Sequence, residues 1–145
     1  MIEVLKNDWK SRPWWMNLVW YFCLYMTFIY MPFDIFTKPF DEWEEVWFGF
    51  VLTGWPAKLT EPLHWLIYGG GAYGFWRMKP WLWPWAAAYS AQVAIAMVLW
   101  GFFSGREDGG GLTPAAYVGG PLFLTLTIAL WRSKSLFHTS ESSAT

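Results

Sequence analysis

The sequence predicts an all-α fold: an integral membrane four-helix bundle with an interfacial or re-entrant segment in its first outer loop. Of the 145 residues, 55% are hydrophobic and only 14% charged, where a soluble domain carries about a quarter charged residues. A soluble fold would have to hide too much apolar surface in too small a volume. The apolar residues also gather into runs long enough to span a bilayer, and the basic residues cluster between those runs on one side.

The first run is Trp14 to Phe33, uninterrupted by charge; about 20 helical residues cross the hydrocarbon core. Pro13 suits a helix start, and Pro32 with Asp34 marks the far end. Lys6, Lys10 and Arg12 precede the run without an A-x-A-like cleavage site after it, so the expectation is a retained signal anchor. The loop from Asp34 to Thr60 has an acidic part, with Asp41, Glu42, Glu44 and Glu45, expected as the solvated face of a surface helix, with binding of cations or of a basic partner as the alternative. Its next part, Val46 to Trp55, is apolar but too short to span, hence interfacial or re-entrant. The second span is Leu59 to Trp76, with Pro62 near its start. The third is Trp81 to Phe103, with Pro84 in its first turn. Ser104 to Gly111 reads as a turn, and the fourth span is Leu112 to Trp131. Residues 1–134 thus form a single transmembrane domain, and residues 135–145 a flexible C-terminal tail.

With this threading, Lys6, Lys10, Arg12, Arg77, Lys79, Arg132 and Lys134 lie on one side, and only Lys38, Lys58 and Arg106 on the other. The excess of cations marks the cytoplasmic face, which places both termini in the cytoplasm. The 14 Trp, 12 Phe and 7 Tyr suit membrane interfaces, where an indole has one wet edge and an apolar body. A net charge near zero and the absence of a basic patch exclude nucleic acid as a partner. The single Cys23 excludes an internal disulfide. Gly70 and Gly74 of the second span, and Ala86, Ser90 and Ala94 of the third, predict a close crossing of those two helices.

Polar groups within the bilayer are costly and mark candidate sites. Glu61 and His64, three apart, share a helix face, with Tyr68 one turn deeper. Asp34 ends the first span, Gln92 and Tyr89 lie in the third, and Tyr117 lies near the outer end of the fourth. Asp34, Glu61 and His64 are the candidate catalytic residues, with Glu61 and His64 as an acid/base pair. Trp65, Tyr68, Tyr89, Gln92 and Tyr117 are the candidate ligand-binding residues. The alternative is structural: Glu61 favours the helix N-terminus and His64 makes an interfacial hydrogen bond. Glu61-x-x-His64 has di-iron spacing but occurs once, and His138 lies in the tail on the opposite side, so no metal is assigned. No motif names a cofactor.

Met31-Pro32-Phe33-Asp34, Glu61-Pro62, Pro84 with Tyr89-Ser90, Tyr117 with Pro121, and Leu130-Trp131-Arg132-Ser133 together resemble the EXPERA group of four-span proteins, which includes sterol isomerases of the emopamil-binding kind and related sterol-binding receptors. The resemblance implies a sterol-like ligand, with Asp34 and Glu61 as the residues carried over. The chain departs from the group at Gly69-Gly70-Gly71-Ala72-Tyr73, where the group has acidic or His residues, so binding is implied more than isomerisation. Two functional readings follow: a protein that binds or processes a small apolar molecule (sterol, isoprenoid or lipid) in an aromatic-lined pocket, or an accessory subunit of a larger membrane complex docking through Val46 to Trp55. A transporter is a weaker third, because no charged pore-lining stripe is visible.

Overall fold

The structure is a computed structural model, and it describes residues 12–39, 42–103 and 111–142. Lys6, Lys10, Asp41, Arg106 and nearly all of the 104–111 turn fall outside those residues. The element order is α1 (Trp14–Tyr25), a π-helical turn (Met26–Tyr30), α2 (Met31–Thr37), β1 (Glu44–Trp47), β2 (Phe50–Thr53), α3 (Trp55–Trp76), α4 (Leu82–Phe103), α5 (Pro114–Arg132) and α6 (Lys134–Ser142). Two helices are long and apolar enough to cross a membrane: the continuous Trp14–Thr37 rod and α4. At 22 and 19 residues, α3 and α5 have comparable length.

The π turn follows from Pro32. A proline inside a helix has no N–H to donate and crowds the carbonyl one turn back. The chain widens just before it, with the Met31 N–H bonding to the Met26 carbonyl, a π-type step. In that register the Thr27 carbonyl would need the missing Pro32 N–H. The Trp65 indole of α3 donates to it instead, at 2.7 Å. The helix therefore continues through Pro32 to Thr37, past the end expected at Phe33.

Helix α3 begins one turn earlier than expected, at Trp55, after Gly54 at φ 62°; Pro56 occupies its first turn and Pro62 lies inside it. Its far end closes as a Schellman motif. Lys79 N–H donates to the Gly74 carbonyl at 2.9 Å and Met78 N–H to the Phe75 carbonyl at 3.4 Å, with Met78 at φ 46°. Arg12, 5% exposed, adds side-chain donors to the last carbonyls of the helix. Its guanidinium donates to Phe75 O and Trp76 O and to Asn17 Oδ1, and lies 4.7 Å over the Trp20 ring. Helix α5 starts at the Thr113 N-cap, whose hydroxyl accepts from Ala116 N–H at 3.2 Å, with Pro114 next. That is the preferred chemistry of a helix start.

The expected close crossing of the second and third spans is not what forms. Helix α3 packs on α1: a side chain at Gly71 would meet Cys23 Sγ, and Trp20 Nε1 donates to Ala72 O at 3.0 Å. Helix α4 packs on α5. Ser90 Oγ donates to Phe123 O at 3.0 Å, Ala94 backs Gly120, and Met97 fills the space over Gly119. The small-residue stripe of α4 does permit a close helix contact, but Gly119 and Gly120 of α5 offer a complementary flat surface and take it. Two helix pairs result, with little packing between their middles.

The pairs are joined at both ends. At the end carrying Arg12, Arg77 and Arg132, Met16, Phe75, Met78, Leu82, Leu130 and Phe137 form the buried core. Phe137 belongs to α6, so the segment expected as a loose tail from Ser135 is helical through Ser142 and anchors there. Residues 143–145 are outside the described part.

At the other end lies a β-hairpin, where a surface helix and an interfacial segment were expected. Glu44 pairs with Thr53 and Trp47 with Phe50. The two-residue turn has Phe48 at φ 52° and Gly49 at φ 87°, the twist that suits a hairpin. Strand alternation turns Glu45 and Trp47 toward the helices and leaves Glu44 and Val46 more exposed. Gly49 sits on the Leu99–Trp100 backbone, and Phe50 stacks on Phe103 of α4 at 4.8 Å. Trp47 stacks on His64 of α3 at 4.1 Å. The hairpin thus straps one helix pair to the other.

Candidate functional site

Beneath the hairpin, α2, β1 and α3 bring charged side chains together. Oxygens of Asp34, Glu45 and Glu61 lie within 4.8 Å of one another. Three carboxylates this close are tolerable only with positive charge among them, and each has a basic partner. Lys38 Nζ is 3.3 Å from Asp34, Lys58 Nζ is 2.8 Å from Glu61 Oε2, and His64 Nδ1 is 2.7 Å from Glu45 Oε2. Lys58 also donates to the Ile35 carbonyl and rests 4.3 Å over the Trp43 ring. Burial alone would lower the Lys38 ammonium; the Asp34 charge and hydrogen bond outweigh it and hold Lys38 above its ordinary value. Lys38 and Lys58 supply positive charge among the carboxylates.

Glu61 is the deepest member, at 1% exposure. Its contact with Lys58 is a charge pair without hydrogen-bond alignment, and neither oxygen has a hydrogen-bond partner among the described residues. The expected Glu61–His64 pair does not form. The hairpin delivers Glu45 to His64, and Glu61 turns back to Lys58, three residues earlier on α3. Glu45 is the site residue that sequence reasoning missed, because its approach depends on the strand pairing.

A cavity of about 390 Å3 opens beside this cluster. Asp34, Glu44, Glu45 and His64 form its polar wall, and no lysine lines it, because Lys58 points toward Ile35 and Trp43. Met26, Met31, Met97 and Trp100 form the opposing wall. Below it, between the two helix pairs, lies a cleft of about 640 Å3 with an almost wholly apolar lining that includes Phe22, Leu66, Trp85, Phe123 and Leu126. Tyr68, Tyr89 and Gln92 line both spaces. The two tyrosine hydroxyls, 3.2 Å apart, bond α3 to α4 at the boundary. Both volumes fall in the range of small-molecule sites, about 300–1,000 Å3.

The structure therefore gathers Asp34, Glu61, His64, Tyr68, Tyr89 and Gln92 around one region. It places two of the named residues elsewhere. Trp65 lines neither cavity, since its indole serves the Thr27 carbonyl and its ring meets Phe36 edge-on. Tyr117 is 66% exposed on the outside of α5. The region can accept a molecule with one polar end and an apolar body. Its acidic wall favours an end that donates hydrogen bonds or carries positive charge, and its Glu45–His64 pair has the spacing of a proton donor and acceptor.

Comparison of the chain with family models, with curated proteins and with solved structures finds no match to any of them.

Proposed function

We propose that this chain is a four-span membrane protein with both termini in the cytoplasm, and that it holds one small amphipathic molecule of the lipid, sterol or isoprenoid class between its two helix pairs. The observation that carries this reading is the junction of the two cavities. A polar space walled by carboxylates and an apolar cleft share Tyr68, Tyr89 and Gln92, so a single molecule can span both. An apolar cleft of this size within a helix bundle offers packing partners along the whole body of an apolar ligand. The EXPERA resemblance agrees with the reading, through Asp34 and Glu61. The alternative, an accessory subunit docking through Val46 to Trp55, has less support. That segment spends Trp47 on His64 and Gly49 on α4 within its own chain.

Gly70 provides the test. It lines the cleft, and a side chain there would meet only the tip of Trp81, at 3.8 Å. Gly70→Leu should therefore fill the cleft without disturbing the helix packing. Protein extracted in mild detergent and exchanged free of loosely held lipid should retain about one amphipathic molecule per chain by mass spectrometry, and the Gly70→Leu protein should retain none. Equal retention by both proteins, or none by the wild type, contradicts the proposal.

A further inference from the structure

His64 is the point at which the hairpin is fastened to α3. Its imidazole takes both inward-facing side chains of β1: Glu45 by the 2.7 Å contact and Trp47 by a stack with planes 5° apart. The hairpin in turn covers both cavities, since Glu44, Glu45 and Val46 line the polar one and Trp47 and Phe48 line the apolar one. Closing it has a cost. Among the described residues the buried Trp47 indole nitrogen has no hydrogen-bond partner, nor do the buried oxygens of Glu61, and buried polar groups in that state oppose the contact that buries them. The hairpin is joined to α3 through Gly54, at φ 62°, a backbone conformation open to glycine. The His64 fastening, with Gly49 and Phe50 resting on α4, is offset by groups that gain hydrogen bonds when the hairpin opens.

We infer that the hairpin is a proton-dependent strap over the ligand cleft, closed when His64 is protonated and loosened when it is neutral. Protonated His64 makes a charge-assisted bond to Glu45, whereas neutral His64 keeps at most an ordinary hydrogen bond. The groups around His64 reinforce that sign. Glu45 faces it from β1, with Glu44 beside it on the cavity wall; Asp34 and Tyr30 share the cavity from α2 and the π turn. Tyr68 of α3 and Tyr89 of α4 lie 6.4 and 6.5 Å from its ring, and α5 contributes no lining group. Lys38 and Lys58 are engaged by Asp34 and Glu61. The paired carboxylates Asp34, Glu45 and Glu61 with the two ammonium groups sum to one negative charge, which protonated His64 cancels, and Glu44 on the cavity wall adds another that favours the cation. Loss of that proton removes the cation and frees the strap. The ligand proposal supplies the purpose of this motion, but the motion does not require it.

Hydrogen exchange of the hairpin amides, residues 44–53, tests the inference in lipid nanodiscs, with rates corrected for the intrinsic effect of pH. Between about pH 5.5 and pH 8 the corrected exchange should accelerate roughly tenfold, the difference between a charge-assisted and a neutral hydrogen bond. Amides of α4 serve as the internal control and should not change. In His64→Gln the hairpin should exchange fast at both pH values; in Glu45→Gln, which leaves the imidazole in place, the pH response should also vanish. A hairpin whose corrected exchange is flat in the wild type, or that responds equally in either variant, overturns the inference. Ligand retention is measured separately, so either result can fail without the other.

Discussion

Replacing Lys58 by methionine should destabilise the protein by about 3 kcal/mol, the cost of stranding a buried charge. Glu61 is 1% exposed, and the Lys58 ammonium is the only charge partner recorded for it among the described residues. Removing that ammonium leaves a carboxylate with neither water nor a hydrogen bond. Glu61→Gln alone should cost less, because Lys58 is 18% exposed, still donates to the Ile35 carbonyl and still rests on Trp43. The double variant, Lys58→Met with Glu61→Gln, should recover much of the loss, since a buried ion pair replaced as a whole is often near neutral. Thermal denaturation of the four proteins in one detergent completes the cycle. Additive losses would show that the two groups do not interact.

Arg12→Met should cost a similar amount, about 3 kcal/mol, for a different reason. The guanidinium serves the last carbonyls of α3, the Asn17 side chain and the Trp20 ring together, and methionine serves none of them. The Trp76 carbonyl would then lose its Arg12 donor and the Phe75 carbonyl would keep only backbone N–H donors, at the buried end of the bundle beside Met78 and Phe137. Arg12→Lys should restore only a minority of the loss, because an ammonium lacks the planar fork that reaches several acceptors at once. The same denaturation measurement checks both, and a full rescue by lysine would show that charge alone matters.

Several parts of this architecture were legible in the sequence for local reasons. The long apolar runs and the prolines and glycines around them located α1, α4 and α5 to within a few residues. Helix α3 was displaced by one turn because Pro62 was read as a start signal, whereas Pro56 after Gly54 plays that role. That shift also hides the Lys58–Glu61 pair: the two are three apart on one helix, but a start at Leu59 leaves Lys58 outside it. The hairpin was missed because a four-residue strand carries little periodicity, and because the turn residue before Gly49 is Phe48 rather than Asn or Asp. The small stripe of α4 announced a close contact but not its partner, which depends on the flat face that Gly119 and Gly120 give α5. Asp34, Glu61 and His64 could be grouped from helix ends alone. Glu45 could not, since its position follows from strand pairing and from the turn that sends β1 back over α3. Trp65 looked like a cavity residue from its place beside His64; only the π turn, which frees the Thr27 carbonyl, explains where its indole goes.

The central claim is that the helix pairs stand in lipid, with the hairpin on one side and the basic end on the other. Helix α3 is the critical element, because it carries Lys58, Glu61 and three adjacent glycines yet must cross. In a Cys23→Ala background, cysteines placed at Phe48 on the hairpin turn and at Lys79 after α3 can be labelled with a membrane-impermeant thiol reagent in intact cells and in inverted vesicles. Phe48→Cys should react only from outside and Lys79→Cys only from the cytoplasm. Labelling of both positions from the same side would contradict the threading of α3, and with it the placement of the cleft within the bilayer.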